Sequence, residues 1–319
     1  MSYDTGYTSF YRMKLESSWG TAVTPDVDIG LLDATGNITQ DQGVTENFGT
    51  GSRKNNQLTY GAYKVNGSLT GKIQSGKLLA YALGTDTPSG SAPTTHTLAV
   101  SDGALSSFSL GQYYKTTDKG QVVTGCKIND VNITLDKNGI LTGTYNWVGK
   151  SSSPVTSTVG SREAVTSLSN KLLPSYAGTI SWNASEIECR SFAFNYNNNL
   201  GQEEVSIGDR RVQAITEGQI NINGTFVLVF SSQTVYDDFQ SSWSAGTEVG
   251  TTRALSLVAS TGSTSTLNEL SLGLTNVSLH NINEAVALSN ERIVAEYSWT
   301  ATALGTTTWK DQLSTTYIA

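Results

Sequence analysis

The chain has 319 residues, about twice the common domain size, so two domains are the starting expectation. Only 15% of the residues are charged and 37% are hydrophobic, and most of the remainder is Ser, Thr, Gly and Asn. Thirty-one Gly against 5 Pro exclude collagen-like and Pro-rich architectures, while 14 Tyr and 6 Trp argue against disorder. Uncharged polar residues, β-branched residues and frequent Gly-containing turns are the composition of an all-β protein and exclude a helical bundle. The net charge of −7 excludes phosphate binding through a basic surface. Residues 1–157 hold twelve acidic and twelve basic side chains, whereas residues 158–319 hold fifteen acidic and eight basic, so the whole acidic excess lies in the second half.

The opening, Met1-Ser2-Tyr3-Asp4-Thr5-Gly6, has neither a basic nor an apolar region of the kind a secretory signal needs. Apolar runs such as Phe226 to Phe230 are far shorter than a membrane span, so no membrane association is expected. Cys126 and Cys189 are too few for a disulfide framework and are expected as reduced thiols.

The chain reads as an internal duplication. Gly51-Ser52-Arg53-Lys54 matches Gly208-Asp209-Arg210-Arg211 at an offset of 157, and Val65-Asn66-Gly67-Ser68-Leu69 falls on Ile222-Asn223-Gly224-Thr225-Phe226 at the same offset. Asn132-Ile133-Thr134-Leu135 resembles Asn276-Val277-Ser278-Leu279 at 144, and Tyr145-Asn146-Trp147 resembles Tyr297-Ser298-Trp299 at 152. The difference of eight predicts a longer connection in the second copy, around His280 to Asn290. The seam is placed near Lys150 to Pro154, giving two units of one fold over 1–157 and 158–319.

Taken along each copy, the dominant period is two. Val131, Ile133 and Leu135 alternate with polar residues, and Asn138-Gly139 predicts a type I′ hairpin before Ile140, Thr142 and Thr144. Lys77–Leu83 is made of helix formers with Gly84 as a C-cap, and Thr234–Phe239 after Ser232 is the matching helix. The fold class is therefore mainly β: two tandem sandwich- or barrel-like domains, each with one short flanking helix.

Chemistry-bearing patterns are sparse. His96 sits in a polar stretch read as an exposed loop, and His280 at a strand end where the first copy has Asp136; neither has metal-ligand spacing, and no nucleophile elbow is present. Gly71–Lys77 fits the first seven positions of a P-loop, but Leu78 replaces the hydroxyl that would hold magnesium, so the segment reads as a strand end entering a helix. Asp136 to Gly139 lacks the further ligands of a calcium loop. Glu203-Glu204, Asp237-Asp238 and the Glu186/Glu188 pair read as solvated surface. No catalytic, cofactor or metal residues are assigned.

In chain order, Glu16-Ser17-Ser18-Trp19-Gly20-Thr21-Ala22, Gly125-Cys126-Lys127-Ile128-Asn129, Tyr145-Asn146-Trp147-Val148-Gly149-Lys150, Asn197-Asn198-Asn199-Leu200, Gly208 to Arg211 and Gly224-Thr225-Phe226 resemble the tail tube (major tail) proteins of long-tailed, non-contractile viruses of prokaryotes. The resemblance implies β-sandwiches stacked as rings into a hollow tube through which viral DNA leaves the capsid, with no catalysis and no cofactor. It implies a virion tail location after synthesis in the host cytoplasm. The implied partners are further copies of the chain and other tail proteins such as the tape measure, tail tip and terminator, with DNA in transit but not tightly bound. Rings of this family hold six domain equivalents, so a two-domain chain implies trimers giving pseudo-hexamers, with neutral and acidic sectors alternating. Within that expectation, the polar segments Asp41–Tyr60 and Leu200–Glu217 are candidate ring-to-ring contacts, carrying Arg53, Lys54, Arg210, Arg211, Glu203 and Glu204, with the arginines meeting carboxylates. The alternatives are a carbohydrate-binding or adhesin-like module and a polysaccharide hydrolase. The recurrence of Tyr145/Trp147 as Tyr297/Trp299 favours core or interface roles over sugar stacking.

Overall fold

The computed structural model describes residues 6, 9–48, 50, 53–155, 170–229, 233–244, 252–262, 266–285 and 292–318. The side chains of 56, 203, 204, 233, 242–244 and 285 lie outside that description. The period-two segments form strands, and ladder hydrogen bonds join seventeen of them into one antiparallel system, with two separate two-stranded hairpins. The mainly β class expected from composition is what the chain adopts.

In the first half, β1 (Ser9–Leu15), β8 (Phe108–Tyr114), the first part of β9 (Lys119–Asp136) and β11 (Ser151–Val155) make one layer. The other layer holds β2 (Leu31–Asp41), β5 (Lys64–Ile73), β10 (Thr142–Gly149) and the second part of β9. β9 passes between layers at Gly125, whose φ of +69° is open to glycine at little cost. The buried Glu16 carboxylate holds that bend: one oxygen accepts from the Gly125 N–H and the Ser109 hydroxyl, the other from the Gly20 N–H and the Ser107 hydroxyl, all at 2.8 Å. This gathers the separated Glu16–Ala22 and Gly125–Asn129 segments into one place. α1 spans Lys77–Leu83, as its composition predicts, and Gly84 closes it in the left-handed region at φ 98°.

In the second half, β12 (Gly178–Trp182) and β18 (Arg253–Thr261) pair as β1 and β8 do. β14 (Cys189–Asn197), β17 (Asn221–Val229), β20 (Val294–Leu304) and β19 (Asn268–Ala285) repeat the order β2–β5–β10–β9. α2 spans Gln233–Ser244, including the predicted Thr234–Phe239; Ser232, after which the sequence predicts its start, lies outside the described residues. Additional pieces are β13 (Ser185–Ile187), the hairpin of β6 (Gly84–Ser89) and β7 (Thr94–Val100), and β21 (Thr307–Asp311), which pairs both β19 and β7. Among the described residues no helix is long and apolar enough to cross a membrane.

The ladders correct the sequence alignment of the two halves. Trp147 opposes Ile128 and Trp299 opposes Leu279, each next to a register shift, so Val131 corresponds to Ile282 and Asn132 to Asn283. The offset through β9 and β19 is therefore 151, not 144. The predicted eight-residue extension around His280 to Asn290 is not needed: seven residues separate the paired Thr134 and Thr142, and eight separate Ala285 and Val294. The two offsets differ by seven residues, and the bulge at His280 takes up the odd one, so Asn276 and Asn283 both stand on the exposed face in similar Asn-containing stretches and the sequence match slipped. His280 takes the bulged position of Asn129 and not that of Asp136. Gly51, half of one predicted glycine match, lies outside the described residues.

Two further expectations change. The turn after β9 is centred on Lys137-Asn138, with Gly139 N–H donating to the Asp136 carbonyl at 2.8 Å and positive φ at Asn138. Gly139 and Leu141 instead bond residues 173–175, which draws the chain off the hairpin ladder and excludes the type I′ geometry. His96 is not an exposed loop residue but lies in β7 at 0% exposure.

Gly67 and Gly224 show how closely the halves agree. A Cβ on Gly67 would collide with the Asn37 carbonyl oxygen and the Trp147 ring, and one on Gly224 with the Ala193 carbonyl oxygen and the Trp299 ring. Each glycine lets an indole lie flat beneath the sheet. Gly67→Ala and Gly224→Ala are each expected to lower unfolding free energy by about 2–3 kcal/mol through overpacking. Gly90→Ala, where φ is 82° and nothing lies within 4 Å, is expected to cost only about 1 kcal/mol of backbone strain. Urea unfolding of the three variants checks this ranking.

Candidate assembly interface

The two halves meet edge to edge. β14 leaves β17 on one side and on the other pairs the second part of β9, with Phe192 opposite Leu135, Phe194 opposite Ile133, and Tyr196 opposite Val131. All six side chains are buried, because alternation sends them to the core face of both strands. The pairing continues the layer β2–β5–β10–β9 directly into β14–β17–β20–β19.

Side chains lock this seam. Asn198, just past β14, donates its amide to the carbonyls of Ala82 at 2.9 Å and Ile128 at 3.0 Å, while its N–H bonds the Asn129 carbonyl. The Leu200 N–H bonds the Asn129 side chain at 2.7 Å, and Gln202 donates to the carbonyls of Val65 and Gly149. The Lys127 ammonium, 7% exposed, meets Glu217 at 2.6 Å. Burial pushes the Glu217 carboxyl up, but Lys127 and the Leu105 N–H outweigh it and hold it below the ordinary carboxylate range.

The opposite face of the continuous layer is uncharged over most of its area. It presents Thr35, Asn37 and Thr39 of β2, Asn66, Ser68 and Thr70 of β5, Thr144 and Asn146 of β10, and Asn132 and Thr134 of β9. Across the seam it continues with Asn195, Asn223, Thr225, Ser298, Thr300, Asn281 and Asn283. None of these is buried. The charged side chains sharing the face include Asp41, Lys64, Lys72, Asp130 and Asp136 in the first half and Glu296 in the second. Among the second-half acids, Glu188 is paired to Arg292, Glu217 to Lys127 and Glu269 to Lys310.

This is a sheet wall bounded by strand edges, built from residues that pair with themselves across an internal seam. Residues 6–301 match the family described as phage tail tube protein. The chain belongs to that family. No curated protein matches it significantly in sequence. As a phage tail tube protein it is a structural component of the virion tail, the placement that the ordered motifs implied.

In the tail tube chain the predicted contact residues lie on or beside two hairpins, β3 (Val44–Phe48) with β4 (Asn55–Tyr60), and β15 (Gly201–Ser206) with β16 (Asp209–Thr216). Arg210 does not reach outward to a carboxylate: its guanidinium donates to the carbonyls of Gly61 at 2.8 Å and Gln42 at 3.1 Å and lies over the Tyr60 ring. The second hairpin thus leans on the root of the first, and Tyr63 N–H bonds the Arg210 carbonyl. Arg211 closes on Asp209, and Arg53 and Lys54 are exposed near the tip of the first hairpin. The side chains of Glu203 and Glu204 lie outside the described residues. Sequence reading missed Lys127, Glu217, Asn198 and Gln202 as seam residues, although the Gly125–Asn129 and Asn197–Leu200 motifs and the Leu200–Glu217 segment contain them.

The buried His96 was the other candidate for chemistry. Its Nδ1 faces Asp86 at 3.0 Å, its Nε2 donates to the Leu313 carbonyl at 3.0 Å, and Tyr317 stacks on the ring at 3.9 Å. With acceptors at both nitrogens, the ring fits as imidazolium clasping the C-terminal segment to the first half. Burial works against that charge, but the Asp86 and Leu313 acceptors prevail and raise its pKa. No group of His, Cys, Asp or Glu among the described residues is suited to hold a metal. Tyr145, Trp147, Tyr297 and Trp299 are all at most 1% exposed, so the recurring aromatics belong to the core and are not available for sugar stacking.

Glu217→Gln leaves the nearly buried Lys127 ammonium without its counter-charge. A loss of about 2 kcal/mol in unfolding free energy is expected at neutral pH. Because the Glu217 pKa is depressed on folding, its contribution is present above the ordinary Glu value of about 4.3 and disappears as pH falls through the folded value. Denaturant titrations from pH 7 to pH 3 should therefore show parent and variant converging on the acid side.

Proposed function

We propose that three chains close into a ring of six tube units, that rings stack into a hollow tail tube, and that the Asn/Ser/Thr face lines the lumen through which DNA is ejected. One observation carries this reading: the second half docks on the first by adding β14 to the outer edge of β9, and the same two kinds of edge recur at the two ends of the continuous layer. β8 stops pairing β9 at Cys126, leaving Asp130–Asp136 for β14; β18 stops pairing β19 at Val277, leaving 281–285 with no partner on that side among the described residues. β2, the counterpart of β14, likewise pairs only β5 among the described residues. A chain with complementary open edges forms a heterologous contact, which either closes into a ring or grows as a filament.

The matching ladders support reading the chain as two copies of one unit, with the boundary in the stretch after β11. The proposed wall carries hydroxyls and amides instead of fixed cations, so it forms no salt-dependent phosphate pairs that would hold DNA back. Its few charges are mixed in sign, which supports a nearly neutral lumen over strongly acidic sectors. At the chain-to-chain seam, Arg53 stands at the sequence position that Arg210 holds within the chain. The exposed apolar side chains Val44, Phe48, Leu58, Val205 and Ile207 sit on the two hairpins, which supports these arms, with Lys54 and Arg211, as the surfaces that meet the next ring. Catalysis has no role in this account, and the tape measure, tail tip and terminator are the expected tail partners.

Native mass spectrometry of rings released from tubes tests the count. The expected assembly has three times the chain mass; a ring of six whole chains, or a stable monomer with no ring at high concentration, would contradict it.

A further inference from the structure

The internal seam fixes the register that the external one would have. β14 and β2 correspond residue for residue through their pairing with β17 and β5, Phe194 opposite Gly224 matching Ile38 opposite Gly67. Carrying the β9–β14 register onto β19 and β2 sets Asp41 against Asn281, Gln40 against Ile282, Thr39 against Asn283, Ile38 against Glu284 and Asn37 against Ala285. The polar-face positions repeat in kind: Asn132 opposite Asn195 becomes Asn283 opposite Thr39.

The core-face positions do not repeat. Within the chain, Ile133 packs against Phe194, at 0% exposure for each. Between chains, the same place holds Glu284 against Ile38. Glu284 shares the inward side of β19 with Ile282, which opposes the buried Tyr297, and is itself exposed in the single chain. We infer that Glu284 is a brake on ring closure: a carboxylate at the one inward position of the outer seam where the inner seam buries isoleucine. This rests on the ring reading above and adds to it the residue that keeps chains apart before assembly.

The physics is that of an inward-pointing charge on an edge strand, which discourages unscheduled pairing. Closing the seam removes Glu284 from water, and a desolvated carboxylate costs several kcal/mol unless a donor replaces the lost hydration. The correct register brings such a donor. The Tyr11 hydroxyl lies inward of Gly36, two residues from Ile38, and accepts from Gln112 at 3.0 Å, leaving its proton for a carboxylate. A slip of one residue sends Glu284 away from that hydroxyl. Glu284 therefore opposes chance association and favours one register.

The test combines Glu284→Ile with a cysteine pair, Thr39→Cys and Asn283→Cys, in the full chain. Directly opposed strand residues are within disulfide reach. In tubes of the parent sequence the 39/283 pair is expected to cross-link between chains, and a Thr39→Cys/Asn281→Cys pair is not. Sedimentation of the purified Glu284→Ile protein should show three-chain rings at concentrations about 100-fold below those at which the parent associates, with Glu284→Gln between them. Rings of the Glu284→Ile protein that cross-link at 39/283 support the brake. Cross-linking in parent tubes without earlier association of Glu284→Ile overturns the brake and leaves the ring reading standing. Tubes that fail to cross-link at 39/283, or association of Glu284→Ile without that cross-link, overturn the seam itself.

Discussion

A β-sheet edge is a row of backbone donors and acceptors without partners, and the geometry of this protein follows from where those rows are closed. β14 is the decisive case. It satisfies one edge on β17 and the other on β9, so the sheet of the first half runs without a break into that of the second. Register shifts flank the place: next to Trp147 and Trp299, and between Cys189 and Ser191. Each shift stops one partner strand and frees the next stretch of edge for another. A chain folded this way has its internal joint and its external edges built to one pattern.

That pattern also accounts for the distribution of residue types. The core face of the seam is aromatic and aliphatic because both strands bury it, and the glycines under Trp147 and Trp299 are required by close approach of ring and backbone. The other face is mostly Asn, Ser and Thr across both halves, a hydrated surface whose few charges are of mixed sign. In the proposed ring this face would line the lumen, where a nearly neutral wall would neither bind nor strongly repel a polyanion. The acidic excess of the second half is used elsewhere: Glu217 on Lys127, Glu269 on Lys310, Glu188 on Arg292.

Much of this was legible in the sequence. The β5/β17 correspondence, the helix over Lys77–Leu83 with its Gly84 cap, the reading of Gly71–Lys77 as a strand end entering a helix and the buried Tyr/Trp pairs all follow from local rules, and the structure bears them out. What failed was register. The stretches around Asn276 and Asn283 lie seven residues apart on the same face of one strand, because the bulge at His280 takes up the odd residue, so the match of Asn132 to Asn276 looked as good as the one to Asn283 that the ladders show. The Asn138-Gly139 turn was misread because residues 173–175 compete for its hydrogen bonds. His96 was misread because its partners Asp86, Leu313 and Tyr317 are distant or unremarkable in sequence. Seam residues such as Gln202 and Glu217 bond backbone or one distant lysine, and no spacing rule marks them.

The central claim is that the joint between chains copies the joint within the chain. A reconstruction of the assembled tube by electron cryomicroscopy, at a resolution that shows side chains, tests it most directly. The account predicts three-fold rings in which β19 of one chain pairs β2 of the next, with Thr39 opposite Asn283, superposable on β9 paired with β14. Rings closed through any other edge, or with six identical chain-to-chain contacts, would contradict it.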